Sequence, residues 1–235
     1  MKTLLKYADL SDENRWLAKG YNFDFKITDN DKEVLSKLRV IGEGEYTGIV
    51  SGLLLPKMIM EQVPREFISD WSQIIVYMNI IVYEEFRHGL TISKLSGGET
   101  DVAKADIFNL EGKDYWDAYG LLVSHCLSEM SNILLYKGVI KELETPELID
   151  IFNNIKRDEI RHMMAWKDLI KDLIDSNEYH KGRCKDSLKD GITIHNAFLG
   201  PNFDKGVEDT ICFFDSGAVI SLMKSKRKII NEWFN

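Results

Sequence analysis

The sequence predicts an all-α protein, a four-helix bundle with a long crossover between its second and third helices and extra helices at both termini. Three observations lead there. Apolar residues recur at three- and four-residue spacing over long windows. Only four prolines interrupt 235 residues, and alternating β-branched runs are scarce. Finally, the linker "SGGETDVAKADIFNLEG", which begins at Ser96, is too long for a tight turn between neighbouring helices.

The elements follow in order. A first core helix is expected from about Asp31 to Gln62, weakened by glycines at 42, 44, 48 and 52. "VPRE" then supplies a turn, and a second helix runs from about Ile68 to Leu95. The third spans roughly Lys113 to Lys141. "ELETPEL" turns the chain, and the fourth runs from Pro146, which suits a first helical turn, to about Asp175. A helix of about 27 residues is ~40 Å long, and about 16 or 17 extended linker residues reach ~53 Å, enough to return along the bundle. Two antiparallel hairpins joined by one crossover is the connection of ferritin-like bundles. Beyond Ser176, "GITIHNAFLGPNFDKG" reads as loop and Val207 to Phe234 as one or two helices. The chain reads as one domain over residues 1–235, with its core at about 31–175 and a C-terminal extension at 176–235.

Composition removes several function classes. With 44% hydrophobic and 29% charged residues the chain reads as soluble and globular. No membrane span or signal peptide is apparent, which gives a cytoplasmic expectation. Cys126, Cys184 and Cys212 show no CxxC spacing, so neither a disulfide framework nor a thiolate metal site is indicated. A net charge of −8 argues against nucleic-acid binding. The basic run Lys224 to Lys228 reads as a solvated helix face.

The apolar run Ile74 to Tyr83 ends abruptly in "EEFRHG", placing Glu85 and His88 on one helix face. The pattern has a twin, since "EEFRH" at 84–88 matches "DEIRH" at 158–162. On the fourth helix, Glu159 and His162 sit within the stripe Phe152, Ile155, Met163 and Trp166, so they point inward. Buried carboxylates need compensating charge, and divalent metal supplies it. A dinuclear site in such a bundle takes one more glutamate from each remaining helix.

Hairpin geometry selects those two. Partners lie at equal distance from the turn. Residues 129 and 159 average to 144, inside "ELETPEL", and position 129 is glutamate on a stripe with Leu122, Cys126, Ile133 and Tyr136. Residue 85 reflected about Arg65 gives 45, also glutamate, with Glu43 the fallback and Glu61 at the wrong level. The candidate metal ligands are therefore Glu45, Glu85, His88, Glu129, Glu159 and His162. Such a set suits two iron ions (Fe2+/Fe3+), with manganese a substitute. Arg87 and Arg161 could pair with Asp158 or Glu84 behind the histidines. His125, one turn before Glu129, could be an extra ligand but reads rather as a core histidine or a support behind the ligands, and His180 and His195 read as ordinary loop residues.

At these residues the chain resembles the soluble acyl-[acyl-carrier-protein] desaturases, over roughly residues 40–175. "EEFRHG" and "DEIRH", with their glutamates 159 − 85 = 74 residues apart, look like that family's paired motifs. The resemblance implies a diiron enzyme that uses O2 to desaturate an aliphatic acyl chain on acyl-carrier protein. It implies a ferredoxin-type electron donor and a homodimer. It also implies an electron path through Asp158 and Trp16. Asn132 stands where the family has threonine, which puts the outcome of the oxidation in question. Lys224 to Lys228 could dock an acidic carrier protein. A diiron oxygenase of a small molecule is the alternative, with N-oxygenation disfavoured by Ile155 where a further histidine is common. Iron storage or ferroxidase activity is a third reading, set against a tail of about sixty residues.

Overall fold

The computed structural model describes residues 2–13, 15–16, 23–45, 47–97, 117–198, 213 and 216–234. Among the described residues there is no strand. Helix α1 (Lys2–Glu13) precedes a core in which α2 (Asp29–Lys37), α3 (Arg39–Glu45) and α4 (Thr47–Gln62) lead to a 3-10 turn (Arg65–Trp71). Helix α5 (Ser72–Ser96) completes the first hairpin, and α6 (Ala118–Glu142) with α7 (Pro146–Ser176) forms the second. The tail adds α8 (Glu178–Phe198) and α9 (Ser216–Phe234). The all-α bundle is as expected, while the crossover at 98–116 lies outside the described residues.

Several boundaries have clear local causes. Thr28 and Asp31 form a capping box that starts α2. Gly97, at φ 69°, closes α5 in the left-handed conformation glycine adopts without strain. The Asp117 carboxylate accepts from the amides of Tyr119 and Gly120 at the start of α6. Pro146 sits in the first turn of α7.

The first core helix departs from expectation. Instead of one unbroken helix over 31–62, α2 ends at Leu38, which caps it in a turn, and the chain resumes as α3 at Arg39; residue 46, between α3 and α4, lies outside the described residues. A glycine-rich segment has little intrinsic helicity, so packing against α5 sets its path. A methyl group added at Gly52 would come within 2.1 Å of Val82 Cγ2, so the close approach of α4 to α5 depends on that glycine. The tail also departs: Gly191 to Phe198, read as loop, belongs to α8, while 199–206 lies outside the described residues.

The core is divided into two apolar clusters. One gathers Trp71, Tyr77, Leu122 and Trp166 toward one end of the bundle. The other gathers Leu38, Ile92, Tyr136, Phe152 and Ile155 toward the opposite end. Residues 84–88, 129 and 158–162 fall between them along α5, α6 and α7, so the polar layer interrupts the core at mid-height.

Candidate metal centre

The polar layer is built from four helices. Glu45 ends α3, Glu85 and His88 lie on α5, Glu129 on α6, and Glu159 and His162 on α7. All six are buried. Glu45, Glu85, His88 and Glu159 each offer an atom within 4.8 Å of the others, and so do Glu85, Glu129, Glu159 and His162. Two four-donor groups thus share Glu85 and Glu159. The arrangement would offer donors to two cations, with Glu85 and Glu159 available to both.

Atoms facing the centre lack partners. Glu85 Oε1, His88 Nδ1, Glu159 Oε1 and His162 Nδ1 are buried with no hydrogen bond. They are close to one another all the same: His88 Nδ1 lies 3.0 Å from Glu159 Oε1, and His162 Nδ1 2.9 Å from Glu85 Oε1. Lone pairs aimed at each other in a dry interior need a cation or a proton between them. The donor set is nitrogen and carboxylate oxygen without sulfur, which suits iron or manganese.

Each histidine is oriented from behind by the other motif. His88 Nε2 donates to Asp158 Oδ2 at 3.1 Å, and His162 Nε2 donates to Glu84 Oε2 at 2.6 Å. Outward donation leaves each Nδ1 free to bind a cation. The arginines cross in the same way, Arg87 to Asp158 and Arg161 to Glu84, both at 2.7 Å. Arg161 also reaches its own motif's Asp158 at 2.9 Å. The N-terminal segment closes the ring: Trp16 Nε1 donates to Asp158 at 2.6 Å, and Ser11 Oγ to Glu84 at 2.6 Å. Trp16 stacks on His88, with planes 7° apart, and Arg87 sits over its ring and donates to its carbonyl.

Burial, then the charges of Glu159 and Glu85, push the Glu45 and Glu129 carboxyls well above their usual range. Burial alone would do the same to Glu85, but His162 and His88 overcome it and hold Glu85 well below. Burial opposes protonation of His162, yet Glu84 and Glu85 raise it to about 9. His88 is likewise raised against burial by Asp158 and the cluster glutamates. Glu84, despite burial, is held down to about 2 by His162 and Arg161.

Neighbouring side chains complete the layer. Asn132 Nδ2 donates to Glu159 Oε2 at 3.2 Å, in keeping with its position one turn after Glu129. The Tyr136 hydroxyl donates to Glu45 Oε1. In the sequence Tyr136 stands on an apolar stripe, and its position seven residues, two turns, beyond Glu129 is the one sign of this contact. His125 joins neither donor group. It stacks on Trp166 at 5.4 Å, its Nε2 has no partner, and burial lowers it to about 4.

His180 is not a loop residue: it is fully buried in α8, paired with the Tyr119 hydroxyl at 2.8 Å and donating to Asp70 at 2.9 Å. His195 also lies in α8. Within the basic run, Lys226 turns inward and donates to Ser131 on α6 at 2.9 Å, because α9 lies against α6 and α7. Lys224 and Lys228 remain exposed.

No protein-family model and no curated protein matches the chain. Solved structures do. An R2-like ligand-binding oxidase with an aerobically reconstituted Mn/Fe cofactor is similar with a TM-score of 0.55 and 12% identity, over 96% of this chain and 92% of that one. An anaerobically reconstituted variant of such an oxidase gives 0.57 and 10% identity, over 96% and 92%. At these identities the likeness shows the fold, an all-α ferritin-like bundle. Among the described residues, no helix is long and apolar enough to cross a membrane.

Proposed function

We propose that Glu45, Glu85, His88, Glu129, Glu159 and His162 hold two iron ions, or one manganese and one iron, and that the protein is an O2-dependent oxidase of an apolar substrate. The observation that carries this reading is the pair of four-donor groups sharing Glu85 and Glu159, with unpartnered atoms directed between them. The fold of the Mn/Fe oxidases supports it. When bound, such a pair of ions supplies the capacity to reduce O2 and oxidise a C–H bond.

The chain's own residues do the rest. Asp158 and Glu84 fix both imidazole rings and their tautomers. Tyr136 and Asn132 hold the carboxylates of Glu45 and Glu159 in place. The apolar clusters above and below exclude water. An aliphatic acyl chain on acyl-carrier protein is the substrate class the paired motifs favour. The exposed surface of α9 formed by Lys224, Arg227, Lys228 and Asn231 offers positive charge to such an acidic carrier. A ferredoxin-type donor would return the electrons. The exposed face of α5 at Val76, Tyr83 and Phe86 is the surface through which a homodimer would form.

The test combines metal analysis with product analysis. Purified protein should bind about two ions per chain. Mass spectrometry after aerobic turnover with acyl-carrier proteins and with candidate amines should show an oxidised acyl chain. Asn132→Thr should leave metal content intact while changing product yield. Iron accumulating far beyond two ions per chain, with oxygen uptake independent of any organic substrate, would overturn the reading in favour of storage.

A further inference from the structure

Trp166 lies on α7 one turn beyond His162, on the same helix face. Its ring contacts Tyr77 edge-on at a centroid distance of 5.9 Å. Tyr77 in turn contacts Tyr7 of α1 at 6.1 Å. The three rings are nearly inaccessible to solvent and form an unbroken aromatic file from the polar layer toward the surface. At the outer end the Tyr7 hydroxyl donates to Asp168 Oδ2 at 2.5 Å. Lys6 spans both groups, at 3.0 Å from the Tyr7 oxygen and 3.2 Å from Asp168. Lys6 and Asp168 are themselves solvent-accessible.

The proton partners differ along the file. Trp166 Nε1 and the Tyr77 hydroxyl are buried without a hydrogen-bond partner. An indole or phenol that cannot release its proton is a poor resting place for a missing electron. Of these three, Tyr7 alone has a carboxylate in line with its proton. Oxidation is therefore easiest at Tyr7, where loss of the electron and transfer of the proton to Asp168 occur together.

We propose that Trp166, Tyr77 and Tyr7 form an electron relay between the carboxylate–histidine layer and the surface beneath Lys6 and Asp168. The direction is inward for electrons. An electron leaves the Tyr7 phenol as its proton passes to Asp168 Oδ2, crosses Tyr77, and refills an oxidised Trp166. An external one-electron donor, such as a thiol or a reduced redox protein, then restores Tyr7, and Asp168 returns the proton. This route exits on the His162 side of the layer. It is separate from the Trp16–Asp158 contact on the His88 side. It rests on the oxidase reading for its physiological oxidant, since that oxidant is drawn from O2 at the layer.

The experiment has two arms so that the two readings fail separately. In metal-free protein, flash photolysis with a ruthenium tris-bipyridine photosensitiser and a sacrificial quencher should produce a long-lived tyrosyl absorption. Tyr7→Phe should remove that component, and Asp168→Asn should shorten it severalfold. Tyr136→Phe, the control for the other buried phenol with a carboxylate acceptor, should leave it unchanged. In iron-loaded protein exposed to O2 without substrate, peptide mapping should show severalfold more oxidation at Trp166 and Met163 in Tyr7→Phe than in wild type. Loss of the tyrosyl component in Tyr136→Phe instead of Tyr7→Phe, or equal peptide damage with normal oxygen uptake, would overturn the relay. Absence of iron binding or oxygen uptake would overturn the oxidase reading and leave the photochemical arm to decide the relay.

Discussion

The two histidines sit in nearly twofold-related settings, and the difference between them is informative. Each donates outward to an acidic residue of the other motif, and each of those acids receives an arginine. Behind His88, Asp158 also receives the Trp16 indole, and each acid lies within ion-pair reach of the second arginine as well, Arg161 at 2.9 Å from Asp158 and Arg87 at 3.8 Å from Glu84. Behind His162, Glu84 receives the small hydroxyl of Ser11. A repeated five-residue motif therefore fixes the common geometry, while the unrepeated N-terminal segment makes the halves unequal. The halves also exchange supports, so neither helix can hold its own histidine alone.

The largest expected break removes a shared residue. Glu159→Ala deletes a donor common to both four-donor groups, so metal content should fall from about two ions per chain to well under one. Glu129→Ala touches one group only and should retain about one ion. Plasma mass spectrometry decides this, and equal retention in both variants would end the idea of a shared bridge.

Next come the supports. Asp158→Ala strands Arg87, Trp16 Nε1 and His88 in a buried setting, and breaking such a pair costs about 3–5 kcal/mol. It should also weaken metal affinity by roughly 10–100-fold. Glu84→Ala should do the same to the His162 side with a smaller stability loss, since a small hydroxyl stands where Trp16 stands in the other half. Chemical denaturation and metal competition titrations measure the two terms. A larger loss in Glu84→Ala would reverse the ranking.

pH separates the metal-free from the loaded state. His162, raised to about 9 from its ordinary 6.5, contributes stability to metal-free protein that is complete below about pH 6.5 and is lost as pH rises through 9. Glu84, lowered to about 2 from 4.5, contributes stability present above pH 4.5 and lost on acidification toward 2. Thermal melts of metal-free protein should decline between pH 6.5 and 9. A metal-loaded sample should not decline there, because a bound imidazole is already neutral. The smallest effect belongs to Ser11→Ala, about 1.5–3 kcal/mol for one hydrogen bond to a charged carboxylate, against a larger loss for Trp16→Phe.

Much of this layer was legible before any coordinates. Glu45 and Glu129 could be picked out because antiparallel helices meet at equal distances from their turn, and residues 45, 85, 129 and 159 do come together. That arithmetic tolerates the break at Leu38, since the break lies on the far side of Glu45 from the turn. The exchange of supports was only half legible: Arg87 and Arg161 could be matched to Asp158 or Glu84, but the crossing depends on how α5 faces α7. Ser11, Tyr136 and His180 left weaker signals. Their partners lie between 61 and 110 residues away, and no local pattern encodes such pairings.

Asp31 has a consequence beyond capping its own helix. Its carboxylate also accepts from the Glu144 amide at 2.8 Å and from the Thr145 hydroxyl, so it fastens the start of α2 to the turn between α6 and α7. That link spans 113 residues of sequence, and closing so long a loop is entropically costly and slow. A slip of one helical turn there would carry Glu45 about 5 Å from the level of Glu159. On the proposed ligand set, uptake of the ion that uses Glu45 would therefore report that both hairpins have docked in the correct register.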